Sequence, residues 1–226
     1  MSIGYTKPLY ILAFDHRNTF AKHIFNTKLQ DLTSEQKQKI CLWKEIIYQG
    51  FLDALQKGVS KDNAAILIDE EFGDKVLQDA MKNNNTILLA AEKSGSENLE
   101  LAYQDFGAHI EKYHPTFVKI LITYGLEDAP EKKKSQQEIL RIVCDYCRKN
   151  DYKFLLEVLI KVSDEKTRGA QTTRMIEQLQ QAGAEPDVWK LEGLDEKADY
   201  EMVVAQAKSG GRNDVGVVIL GRGADS

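Results

Sequence analysis

The apolar positions gather into seven short runs separated by longer stretches of mixed polarity: LYILAF (9–14), AAILI (64–68), TILLAA (86–91), FVKILIT (117–123), KFLLEVLI (153–160), DVWKLE (187–192) and VGVVIL (215–220). Each is rich in Val, Ile and Leu without strict apolar–polar alternation, the pattern of strands buried on both faces of a parallel sheet. The stretches between them repeat apolar residues at helical spacing over 34–57, 74–83, 96–113, 134–149, 170–183 and 196–208. Thr33-Ser34-Glu35 supplies a start signal and Gly183 a stop. Strands alternating with helices predict an α/β fold with a parallel sheet.

The strand ends decide between an open sheet and a barrel. Six of the seven runs carry an ionisable residue in or just after their C-terminal half: Asp15, Asp69, Glu92, Lys119, Glu157, and Lys190 with Glu192. The seventh is followed at once by Gly221-Arg222-Gly223. An open doubly wound sheet collects its ligand groups at one switch point, whereas a TIM (β/α)8-type barrel collects them from many strand ends on one face. The expectation is therefore a TIM (β/α)8-type barrel forming one domain over residues 1–226, without its eighth βα unit because GRGADS closes the chain. No G-x-G-x-x-G or G-x-x-x-x-G-K-[ST] motif is present, so neither a dinucleotide nor a P-loop reading has support.

Composition narrows the picture further. The 35 acidic and 30 basic residues give a net charge of −5 and are interspersed, which predicts neither a nucleic-acid footprint nor a basic membrane-binding face. Lys132-Lys133-Lys134 after Pro130 reads as a solvated helix start. No apolar run nears the roughly 20 residues that span a bilayer, and the N-terminal stretch lacks a signal-peptide pattern. A soluble, cytoplasmic protein is expected. Cys41, Cys144 and Cys147 are an odd count, and CDYC (144–147) has no second ligand pair near it, so these read as reduced thiols on helix faces.

The stretch PDVWKLEG (186–193) places Lys190 where Val188, Trp189 and Leu191 indicate interior. Alternation puts Lys190 and Glu192 on the face of Val188, and Glu157 on the face of Leu155 and Leu159. A buried lysine beside a second cation is held towards the free amine. A free amine is the nucleophile that forms a Schiff base with a ketone, and a carboxylate between two such lysines can shuttle the protons of carbinolamine dehydration. The iminium then acts as an electron sink for cleavage of a nearby carbon–carbon bond, with Asp15 taking the proton of the hydroxyl that becomes the new carbonyl. A buried Lys–Glu layer can equally be a satisfied structural ion pair, so Lys119, Glu157 and Lys190 alone leave both readings open.

Seven segments in chain order, LAFDHR (12–17), ILIDEEFG (66–73), LLAAEKSG (88–95), FVKILITYG (117–125), FLLEVL (154–159), PDVWKLEG (186–193) and VVILGRGAD (217–225), give the chain a resemblance to a known group. It resembles the class I aldolases that include tagatose-bisphosphate aldolase and sulfofructose-phosphate aldolase. It is still more similar to the aldolase-like domain fused to 5-dehydro-2-deoxygluconokinase in bacterial inositol catabolism. The resemblance implies Lys190 as Schiff-base lysine, Glu157 as proton-transfer carboxylate, and Lys119 and Asp15 as polar groups around the substrate carbonyl and hydroxyls. It places Arg17 among the substrate's polar contacts and a phosphate loop at Gly221, Arg222 and Gly223; beside it, Glu92 and Lys93 read as a polar wall of the same pocket, and Asp69 as pairing with lysines or orienting substrate. His16 stands where the bisphosphate aldolases more usually carry Gln. No metal and no other cofactor is implied, and the expected partner is a small sugar phosphate, with 2-deoxy-5-keto-gluconate 6-phosphate the specific candidate. Open sheet edges make a homo-oligomer the expected assembly. Two other readings stand beside this one: a non-catalytic or partner-completed barrel, and a metal-assisted lyase or isomerase using Asp69, Glu71 and Glu92.

Overall fold

The computed structural model describes residues 3–221, so the expected contacts of Arg222 and Gly223 lie outside the described residues. Seven parallel strands alternate with helices, in the chain order of a TIM (β/α)8-type barrel. All seven predicted strands are found to within two residues. Contacts gather into two compact units, one of residues 7–118 and one of residues 3–6 with 119–221.

The first unit is built on β1 (Tyr10–Ala13), β2 (Ala64–Asp69) and β3 (Thr86–Ala90), paired in parallel and in that order. Every residue of β2 is buried, which is why its sequence is apolar without alternation until Asp69. Between β1 and β2 lie α1 (Asn18–Phe25) and the long α2 (Ser34–Gln56). A capping box starts α2: the Thr33 hydroxyl accepts from the Gln36 N–H, and the Gln36 side chain accepts from the Thr33 N–H. The helix α3 (Glu70–Lys82) begins four residues before its predicted start because the Asp69 carboxylate accepts the Phe72 N–H as its cap.

The predicted helix over 96–113 shortens to α4 (Phe106–Tyr113). Residues ahead of it fold back instead: Lys93 N–H donates to the Glu100 carbonyl, Ala102 N–H donates to the Ala91 carbonyl, and Gly95 takes a φ of 80°. A left-handed residue of this kind breaks helical continuity, and the apolar spacing of Leu99 and Leu101 belongs to this return. The helix α1 has no counterpart in the sequence reading; its eight residues are too few for a periodic signal.

The second unit carries β4 (Phe117–Tyr124, from Lys119 onward), β5 (Lys153–Ile160), β6 (Val188–Leu191) and β7 (Gly216–Ile219), neighbours in that order. Around them run α5 (Pro130–Lys149), which starts on the proline suited to a first turn, α6 (Arg168–Gln181) and α7 (Lys197–Lys208). Trp189 is fully buried in β6. Below β5 and β6, the buried Asp187 carboxylate accepts from the Gly4 N–H at 2.8 Å, the Phe154 N–H at 2.8 Å and the Lys153 ammonium at 2.9 Å. Gly4 sits at φ 129°, and a Cβ there would come within 2.3 Å of the Asp214 backbone.

A single carboxylate thus satisfies two backbone donors, one near the start of β5 and one in the N-terminal segment. Stranding a buried donor costs about 1–3 kcal/mol. Asp187→Ala is expected to lower the unfolding free energy in a urea titration by more than Asp187→Asn, which keeps one acceptor oxygen.

Candidate active site

Lys119, Glu157 and Lys190 come together on adjacent strands β4, β5 and β6. Glu157 and Lys190 are direct register partners in the parallel β5–β6 pair, so their side chains leave the sheet side by side. The Lys190 ammonium meets one Glu157 oxygen at 2.9 Å and the Lys119 ammonium meets the other at 3.3 Å. Side-chain exposure is 1% for Lys119, 8% for Glu157 and 7% for Lys190. Two cations thus share one anion away from water, where each pairing is stronger than at the surface and each ion is costly to bury.

Glu192 follows two residues after Lys190 on the same side of the strand. Its carboxylate accepts the Ile160 N–H at 2.9 Å and the Arg168 guanidinium at 2.8 Å. Arg168, the first residue of α6, also holds Glu165 through two bonds of 2.7 and 2.6 Å. The ends of β5 and β6 and the start of α6 are tied together directly beyond the lysine pair. Arg168 gave no sequence signal because it lies in a polar stretch outside every apolar run.

In the first unit, the chain leaving β1 carries Asp15, half-buried, and the buried Arg17. Arg17 Nη2 donates to the Glu92 carbonyl at 2.9 Å and to its carboxylate at 3.3 Å, so these two predicted site residues are brought together. Arg17 Nε is buried without a partner. Lys93 turns to the Glu100 carboxylate at 2.7 Å, and both side chains are more than half exposed. Asp69 is wholly buried; one oxygen caps α3 and the other is held by the wholly buried Lys44 ammonium. Lys44 is a buried charge that sequence reading missed, although it falls on the buried stripe Ile40, Tyr48 and Phe51 of α2.

Among the described residues, no three His, Cys, Asp or Glu side chains gather as metal ligands would, and no helix is long and apolar enough to cross a membrane. Cys144 and Cys147 are buried on α5. Burial pushes the Cys144 thiol up to about 12, and burial, with Cys144 beside it, raises Cys147 as well. Both remain neutral thiols at pH 8, and the thiolate is the reactive form. Ellman's reagent is therefore expected to titrate Cys144 and Cys147 only after denaturant is added.

The pattern of the family described as "Uncharacterized protein conserved in bacteria (DUF2090)" matches residues 4–226, and the chain belongs to that family. No curated protein matches it by sequence. Among solved structures, a Schiff-base-forming fructose-1,6-bisphosphate aldolase is similar over 94% of this chain and 86% of its own, with TM-score 0.55 and 13% identity. An archaeal fructose-1,6-bisphosphate aldolase, solved with its catalytic Lys covalently bound to the carbinolamine intermediate, is similar over 94% and 74%, with TM-score 0.56 and 14% identity. A Corynebacterium glutamicum protein is similar over 94% and 77%, with TM-score 0.61 and 13% identity. At these identities the likeness is one of fold.

Proposed function

We propose that this DUF2090 chain is a class I, Schiff-base aldolase, a single catalytic domain over residues 1–226. The observation that carries the reading is the buried Glu157 carboxylate shared by Lys190 and Lys119 on three neighbouring strands. The fold it shares with aldolases that work through a lysine adduct supports the same assignment.

In the proposed reaction, the Lys190 amine adds to the ketone carbon of a phosphorylated ketose or keto-acid, and Glu157 passes protons as the carbinolamine loses water. The resulting iminium draws in the electrons of the bond between the next two carbons along the chain, which leaves an enamine. That bond breaks as a carboxylate, Asp15 by the family resemblance, takes the proton of the hydroxyl whose carbon becomes the aldehyde. The aldehyde fragment leaves, the enamine is reprotonated, and water returns to free the three-carbon product and Lys190. The Lys119 cation offsets the charge on Glu157 while its proton is away.

Arg17, Glu92, Lys93 and the glycine-flanked Arg222 are the proposed substrate contacts; Asp69, wholly buried with one oxygen on the Phe72 N–H and the other on Lys44, is left out of the binding set. The preferred substrate is 2-deoxy-5-keto-gluconate 6-phosphate, on the likeness to the domain that accompanies 5-dehydro-2-deoxygluconokinase. A cytoplasmic homo-oligomer is the proposed form, and the exposed Tyr10 and Leu12 on β1 favour a covered strand.

Release of a triose phosphate from that substrate, followed with a coupled dehydrogenase, tests the reading. Lys190→Met is expected to abolish release with the fold intact, and Glu157→Gln to lower kcat by about 10²- to 10⁴-fold. A strong chelator should leave the rate unchanged. Full activity in Lys190→Met, or loss on chelation, would contradict the proposal.

A further inference from the structure

The helix α2 points Ile40, Lys44, Tyr48 and Phe51 into the core, and one of these four positions holds a cation with no exposure at all. An ammonium so placed costs several kcal/mol unless it is paired and hydrogen-bonded, and an apolar residue would pack the position more cheaply. Its partners show what the cation does there. Lys44 Nζ donates to the Phe14 carbonyl at 2.7 Å and to the Asp69 carboxylate, whose other oxygen caps α3 at the Phe72 N–H, 2.9 Å away. The rings of Phe20 and Phe72 complete its surroundings, with centroids at 5.8 and 6.0 Å. One ammonium therefore joins the ends of β1 and β2 to α1, α2 and α3.

Phe14 is the residue after β1 and before Asp15-His16-Arg17. Its N–H is already held by the Leu67 carbonyl at 2.8 Å. The Phe14 carbonyl and the Asp15 N–H lie in one rigid peptide plane, so a donor that fixes the carbonyl also fixes the direction in which the chain carries Asp15 and Arg17. We propose that Lys44 is a positioning residue for the β1 end, acting through the Phe14 carbonyl to hold Asp15 and Arg17 in their working orientation. The inference rests on the aldolase reading for what Asp15 does, and on the geometry alone for what Lys44 holds.

The test uses the full chain and the double variant Lys44→Met/Asp69→Asn, which removes both buried charges and keeps an oxygen to cap Phe72. Dihydroxyacetone phosphate with borohydride reports Schiff-base formation, substrate cleavage reports the whole reaction, and hydrogen exchange reports the strand end. The variant is expected to trap as much adduct as wild type while kcat for cleavage falls on the order of a hundredfold, with KM changed less, as a small misplacement of a reacting group produces. Exchange over residues 14–18 should quicken by at least about tenfold while β5 and β6 stay protected, as a local opening requires. A folded variant with wild-type cleavage and unchanged exchange at 14–18 would overturn the proposal. If wild type traps no adduct, the Schiff-base reading fails by itself, and the exchange result alone decides whether Lys44 holds the strand end. Should the double variant fail to fold, Lys44→Gln, uncharged but still able to meet Asp69, is read in the same way.

Discussion

Everything in the second unit is arranged around one carboxylate bonded to two buried ammonium groups. Glu157, Lys119 and Lys190 bring three charges into the interior, and buried charges are tolerated only in good pairing geometry. The β5–β6 register sets Glu157 opposite Lys190, and a slip of one residue would send Lys190 to the opposite face and bring Trp189 in. The apolar neighbours Val188, Trp189 and Leu191, all buried, hold that register from one end. Glu192 holds it from the other, by joining Ile160 to Arg168. Below the strands, Asp187 fixes their starts to the N-terminal residues. A charged cluster of doubtful value to stability is thus surrounded by contacts that keep it in one geometry, as the proposed chemistry requires.

The first unit follows a similar plan with a different pair. Lys44 and Asp69 are sealed from water, and both spend their hydrogen bonds on backbone at the ends of strands and the start of a helix. Here the two charges, besides meeting each other, bond to the Phe14 carbonyl and the Phe72 N–H.

Much of this was legible in the sequence, for definite reasons. Strands buried on both faces cannot alternate, so their runs of Val, Ile and Leu stand out, and a lysine inside PDVWKLEG is conspicuous against them. Lys119, Glu157 and Lys190 were visible as candidates because they interrupt such runs. Their mutual distances were not, since register between strands more than thirty residues apart depends on the whole sheet. Lys44 was hidden because lysine is a common helix residue, and only the buried positions four residues to either side reveal its facing. Arg168 was hidden by lying in a polar loop and helix start. The shortened α4 shows the converse: apolar spacing near Leu99 imitates a helix where a backbone return prevails.

In the proposed chemistry, Lys190 is buried because its amine forms a covalent bond to a ketone. Mass spectrometry of the protein after incubation with dihydroxyacetone phosphate and borohydride, with peptide mapping of the product, tests this directly. One reduced adduct, located on Lys190, is expected. A folded protein that carries no adduct, or carries it on an exposed lysine with Lys190 unmodified, would contradict it.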